Sequence, residues 1–183
     1  MKKAVKSILI IVTAILALII IVLVSISYKF GAFESVELQQ AARGPYQIVC
    51  LEHIGPYQQA PAKIEEVRAL LEEKSIAIGN TCGVYHDDPT SVPQDQLRSR
   101  VGFIVEDSIM VEAPFMIDSL AQREVIIGTI KAHPAVAPFK TYPALNAWMQ
   151  QNGYETAGPA FEIYHEDGFV ECQIPIRKMD AKS

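Results

Sequence analysis

Val84-Tyr85-His86-Asp87-Asp88 returns, at a constant offset of 79, as Ile163-Tyr164-His165-Glu166-Asp167. Each block is a β-branched and aromatic run that ends in turn formers, Asp87-Asp88-Pro89 in the first and Glu166-Asp167-Gly168 in the second, the composition of a strand entering a hairpin. Working back from the first block, Tyr46 to Ile54 alternates as a strand, with Ile48, Cys50 and Ile54 on one face and Val49 and Leu51 on the other. Gly55-Pro56-Tyr57 then turns the chain, and Pro61 suits a first helical turn. Ile64, Val67, Leu70 and Leu71 recur at helical spacing opposite Glu65, Glu66, Arg68, Glu72 and Glu73. Asn80 to His86 and Arg98 to Glu106 read as the two strands of the hairpin.

The second block has the same surroundings. Glu124 to Ala132 reads as a strand and His133-Pro134 as a turn, with Pro134 lying 78 residues after Pro56. Tyr142, Leu145, Trp148 and Met149 form a helical stripe that stops near Gly153, a good left-handed cap. Ala160 to His165 and Phe169 to Ile176 close the second hairpin. The expected fold class is α+β, a tandem βαββ pseudo-repeat over residues 44–178. Each unit has one sheet face to bury under one helix, so two units can join their sheets and leave a central cleft along the pseudo-twofold, the kind of seam that ligands favour.

One transmembrane helix is expected before the domain. Ser7 to Tyr28 carries no charge, and fourteen of the seventeen residues from Ile8 to Val24 are Ile, Leu or Val. At about 1.5 Å per residue the segment reaches about 33 Å, against a hydrocarbon core of about 30 Å. The fourteen residues favour insertion by about 4 to 8 kcal/mol. A cleaved signal peptide is the rival, with Ser25 and Ser27 at −3 and −1 of a cut after Ser27, but its apolar run is normally shorter. Residues 1–28 therefore read as a cytoplasmic stub and membrane anchor, and residues 29–43, without a sustained pattern, as a tether. Lys2, Lys3 and Lys6 precede the helix and Lys29 alone closely follows it, a bias that keeps the N-terminus in the cytoplasm and places the domain on the outer, periplasmic or extracellular, side.

Beyond Tyr28 there are twenty-one acidic residues against thirteen Lys and Arg, and no basic cluster, which excludes nucleic acid as the expected partner. No phosphate-cradling glycine loop or metal-ligand spacing occurs, so no cofactor and no metal are expected. Cys50, Cys82 and Cys172 are widely spaced in apolar runs and read as small buried hydrophobes, although one pair could bridge in an oxidising compartment. His86 with Asp87 and Asp88, and His165 with Glu166 and Asp167, read as turn chemistry.

The chain resembles the GyrI-like family through Gly55-Pro56-Tyr57, Gly83-Val84-Tyr85 with Asp87-Asp88-Pro89, Leu145 to Gly153 around Trp148, Gly158-Pro159 leading into Phe161-Glu162-Ile163-Tyr164, and Ile174-Pro175-Ile176. The resemblance implies a small-molecule-binding domain, found with DNA-binding helices in multidrug-sensing regulators, alone in a gyrase inhibitor, and in some relatives that hydrolyse strained natural products. It also implies a recurrent carboxylate in the cleft, at the position of Glu162. Alternation sets Phe161 and Ile163 on one sheet face and Glu162 and Tyr164 on the other. If Phe161 and Ile163 pack under the helices, Glu162 faces the cleft, and Gly83, its repeat mate, leaves room for a ligand.

Tyr57, Tyr85, Phe103, Phe139, Tyr142, Trp148 and Tyr164 are the candidate aromatic walls around Glu162. A carboxylate walled by aromatics suits a lipophilic cation, because charge pairing and cation-π attraction then act together. In an empty apolar pocket the same carboxylate would be a general base toward water, making Glu162 the catalytic residue of a hydrolase of strained electrophiles. A membrane-tethered protein-interaction domain is the remaining alternative. For the topology, the expected outcome is that protease added outside intact spheroplasts digests the domain, and that N-terminal sequencing of the mature chain finds residues 1–28 retained.

Overall fold

The two periodicities read from the sequence set which side chains share a face of each element. The computed structural model describes residues 2–106 and 109–179. Helix α1 (Lys2–Lys29) contains the stretch Leu9–Lys29, with a mean hydropathy of 3.4 and no part packed in the protein interior. It is the one helix among the described residues that is long and apolar enough to cross a membrane.

Strand β1 (Glu37–Arg43) is followed by β2 (Tyr46–Ile54), α2 (Ala60–Glu73), β3 (Thr81–Tyr85), β4 (Arg98–Ile104) and β5 (Met116–Leu120). The second half runs β6 (Arg123–Lys131), α3 (Ala137–Asn152), β7 (Tyr154–Thr156), β8 (Ala160–Tyr164) and β9 (Phe169–Lys178). All pairings are antiparallel, in the order β1-β6-β9-β8-β3-β4-β2-β5, with the short β7 alongside β9. Read from either end, that order has the same roles: an added outer strand, the strand before the helix, then the two strands of the hairpin. The pseudo-twofold falls between β3 and β8.

The repeat is longer than the periodicity alone suggests. Gln40 of β1 lies opposite Ile126, and Asp118 of β5 lies opposite Ile48. Both steps span 78 residues (118 − 40 and 126 − 48), so β1 and β5 are repeat mates and the unit is ββαββ. Seven of the residues expected as tether therefore belong to the sheet. Glu37 to Arg43 gave no strand signal because an edge strand exposed on both faces needs only its backbone ladder, here to β6.

Val49, Leu51 and Phe103 pack with Val67 and Leu71 of α2, while Ile126, Ile130, Val170, Cys172 and Ile174 pack with Leu145 and Met149 of α3. Gly153 closes α3 in the left-handed conformation at φ 72°, its N–H donating to Met149 O. Ile48, Cys50, Cys82, Val84, Phe161 and Ile163 cluster on the opposite face of the sheet. This reverses the condition on which the cleft was expected: Phe161 and Ile163 turn away from the helices, and Glu162 lies on the helix side. The sheet curves enough to bring Tyr46 of β2 to Gln173 of β9, whose Nε2 donates to the Tyr46 hydroxyl at 3.0 Å. That curvature buries a face no helix covers.

Gly102 permits this shape. It lies opposite both Cys50 and Cys82, and a Cβ there would sit 1.9 Å from the Val49 carbonyl oxygen, a backbone atom fixed by the sheet. Gly102→Ala should lower stability by about 3 kcal/mol or more, read by urea unfolding of the detergent-solubilised chain. Gly158→Ala, whose Cβ would meet only Pro175 Cγ at 3.8 Å, should stay within about 0.5 kcal/mol of the parent.

Candidate functional site

The register β3 to β8 pairs Gly83 with Glu162, so two repeat-related positions face each other across the pseudo-twofold. One carries a carboxylate and the other no side chain. Glu162 is 3% exposed. Its Oε1 accepts a hydrogen bond from the Tyr142 hydroxyl of α3 at 2.7 Å, and its Oε2 one from the Tyr164 hydroxyl at 2.6 Å. Tyr164 and Tyr85 are repeat mates and meet oxygen to oxygen at 2.8 Å. Because the one Tyr164 proton goes to Glu162, Tyr85 donates in that contact.

The space beside Gly83 is filled by protein: a Cβ at 83 would lie 2.8 Å from Tyr85 Cε2 and 2.9 Å from its hydroxyl. The open central cleft expected at this point is therefore closed by the Tyr85 ring, which a side chain at 83 would displace. Tyr57 packs edge-on against Tyr85 with ring centroids 4.9 Å apart, and its hydroxyl donates to Asp87 O at 2.8 Å. Four aromatics of the expected set, Tyr142, Tyr164, Tyr85 and Tyr57, thus form one connected assembly over Glu162.

The other three lie elsewhere. Phe103 is in the core beneath α2, with the Arg68 guanidinium 4.7 Å from its ring centroid. Trp148 stacks on Tyr154 at 5.4 Å, because the α3 face it occupies turns toward β7. Phe139 is 80% exposed. Helical spacing and aromatic character do not separate these positions from the four that converge.

Cys172 is a neighbour that the sequence reading assigned only to the core. It lies opposite Glu162 in the β8-β9 hairpin, and the Thr141 hydroxyl donates to its sulfur at 3.2 Å. The Glu166-Asp167-Gly168 turn, which centres the hairpin, contained the signal for that pairing. All three cysteines are buried free thiols. Burial, followed by the Asp118 charge, pushes Cys50 up to about 12.

Burial raises the pKa of Glu162 above its ordinary value near 4.5, and the hydrogen bonds from Tyr164 and Tyr142 oppose that rise. Burial and the Glu162 charge together push Tyr142, Tyr164 and Tyr85 well above the ordinary phenol range. The tyrosines stay protonated and serve as donors. Among the described residues, no lysine, arginine or histidine forms an ion pair with Glu162. The turn residues are engaged in turns: Asp87 accepts from Arg98 N, Nε and Nη2, Asp88 from Thr90, and Asp167 from Phe169 N.

Residues 42–177 match the family described as a GyrI-like small molecule binding domain. DNA gyrase inhibitor 2 of Dickeya dadantii is 31% identical over 134 residues, covering 68% of this chain and 82% of its own length. The DNA gyrase inhibitor of Yersinia enterocolitica is 30% identical over 153 residues, covering 79% and 93%. Among solved structures, the EcmrR C-terminal domain aligns at a TM-score of 0.63 and 17% identity over 80% of this chain and 99% of that one. SAV2435 bound to tetraphenylphosphonium aligns at 0.50 and 13% over 77% and 94%. At those identities the likeness is one of fold. With its sheet order, its helix pair and the match over most of its length, the chain belongs to the GyrI-like small-molecule-binding domain family.

Proposed function

We propose that the protein is a membrane-anchored receptor or scavenger whose domain, on the outer side of the membrane, binds amphipathic, cationic small molecules at Glu162. The observation that carries this reading is a buried carboxylate held only by neutral tyrosine hydroxyls. Removing a carboxylate from water without a counter-ion is costly. A cation with apolar arms would supply the missing charge, and the aromatic faces would line its arms. Tyr85 and Tyr164 close the site, so binding displaces a ring and exchanges hydroxyl donors for the cation. The tetraphenylphosphonium seen on SAV2435 is a lipophilic cation of this chemistry. Gyrase inhibition belongs to the named relatives and does not follow here, since the proposed orientation keeps the domain away from cytoplasmic gyrase.

Catalysis by Glu162 is the contrary reading. Both of its oxygens already accept short hydrogen bonds, an arrangement better suited to holding a charge than to taking a proton from water.

Titration of tetraphenylphosphonium into the detergent-solubilised chain should show that Glu162→Gln loses about ten- to more than a hundredfold in affinity, the worth of a charge-assisted contact of roughly 1.5 to 3 kcal/mol. Binding left intact while hydrolysis of a strained electrophile falls by about 10² to 10⁴ would instead establish a general base. The raised pKa adds a pH signature. A group whose folded value lies above its unfolded value stabilises fully below the unfolded value, near 4.5, and loses that contribution as pH rises through the folded value. Thermal unfolding should therefore show the parent losing stability relative to Glu162→Gln as pH rises above about 4.5, and cation affinity rising over the same window.

A further inference from the structure

The residues that follow α1 do not trail away from the domain. His133 N donates to Phe30 O at 3.1 Å, and the Phe30 and His133 rings meet at 4.7 Å. Gly31, at φ 73°, lies so close to the end of β6 that a Cβ there would be 2.5 Å from Lys131 O. Lys140 of α3 donates through Nζ to Ala32 O at 2.8 Å and also to Glu34 O. The exit of the apolar helix is thus bonded to the end of β6 and the first turns of α3.

Large aromatics project into solvent from this junction. Phe139 is 80% exposed, Phe33 65%, and Tyr28, on the last turn of α1, 72%. A lone exposed aromatic needs no explanation. Here three gather where the apolar helix ends, and the bonds just described hold them there. Tyrosine favours the headgroup layer at that level, phenylalanine buries its ring at the boundary between headgroups and acyl chains, and lysines beside them keep their stems in apolar surroundings with the charge in water. Lys29 is placed to do this.

We propose that Tyr28, Phe33 and Phe139 form a seat that rests the domain in the headgroup layer of the bilayer that α1 spans. The inference depends on the reading of α1 as a retained membrane anchor and goes beyond it, because an anchor alone would leave the domain free to tumble. The occupant of the apolar patch is the lipid surface continuous with the one around α1. The seat puts the first turn of α3 at the membrane, three residues before the Tyr142 that closes Glu162.

The test uses the full chain in lipid nanodiscs, whose lipids are either ordinary or brominated on the upper part of the acyl chain, a quencher of tryptophan fluorescence. Phe139→Trp and Phe33→Trp each add one tryptophan to the native Trp148, at exposed positions that leave the core untouched. Ile54→Trp is the control: Ile54 is 70% exposed at the opposite end of the sheet, since β2 runs antiparallel to β6 through the intervening strands. Emission added at 139 and at 33 should fall about twofold or more in brominated discs, as expected for side chains about 5 to 10 Å into the interface. Emission added at 54 should not change. Unquenched emission at 139 and 33 from chain that copurifies with the discs overturns the seat while leaving the anchor standing, and equal quenching at 54 also overturns it. Chain that does not copurify with the discs overturns the anchor, and the seat with it.

Discussion

A carboxylate taken out of water must be met by opposite charge or by hydrogen-bond donors, and Glu162 is met by donors alone. Tyr142 reaches it from α3 and Tyr164 from its own strand, with Tyr85 behind Tyr164. Their own ionisation is suppressed by burial and by the charge they surround. The result is a site that is polar at its centre, neutral in its ligands and sealed by rings. The raised pKa follows from that burial, and the proposed preference for a cation rests on the same arrangement.

The tandem repeat explains how one charge comes to lie on the axis. Symmetric strands β3 and β8 bring position 83 opposite position 162, and two carboxylates there would repel at close range. Glycine at 83 removes that conflict and gives the Tyr85 ring a floor. The helices are asymmetric in the same sense: α3 supplies Tyr142, whereas Ile64, 78 residues earlier on α2, packs with the apolar core. Duplication supplies the frame, and the departures from symmetry supply the chemistry.

Helix α3 joins the exit of α1 to the surroundings of Glu162. Its first turns hold the exit of α1 through Lys140, and Tyr142, two residues on, holds Glu162. A ligand that displaced Tyr142 from Glu162 would therefore act on the helix that is bonded to the residues following α1.

Local periodicity carried much of the fold. Alternation in Tyr46 to Ile54, helical stripes at Val67 and Leu71 and at Leu145 and Met149, and the Gly153 cap all depend on residues close in the chain, and the offset between the hairpins is visible by comparison, so the sequence alone determined both helices of the domain, its inner strands, the repeat and the apolar N-terminal helix. Edge strand β1 escaped because it is held by its backbone ladder and buries no side chain, and β5 because its five residues bury only Leu120 fully. Glu162, Tyr142, Tyr164, Tyr85 and Tyr57 were legible as candidates, but nothing in their spacing distinguished them from Phe103, Trp148 and Phe139, which went to the core, to β7 and to solvent. Only the tertiary structure decided which sheet face meets the helices, that the seam is closed over Glu162, and that residues 30–34 are bonded to the domain. Periodicity reports which residues share a face, whereas burial and partners depend on the curvature of the sheet and on contacts between segments far apart in sequence.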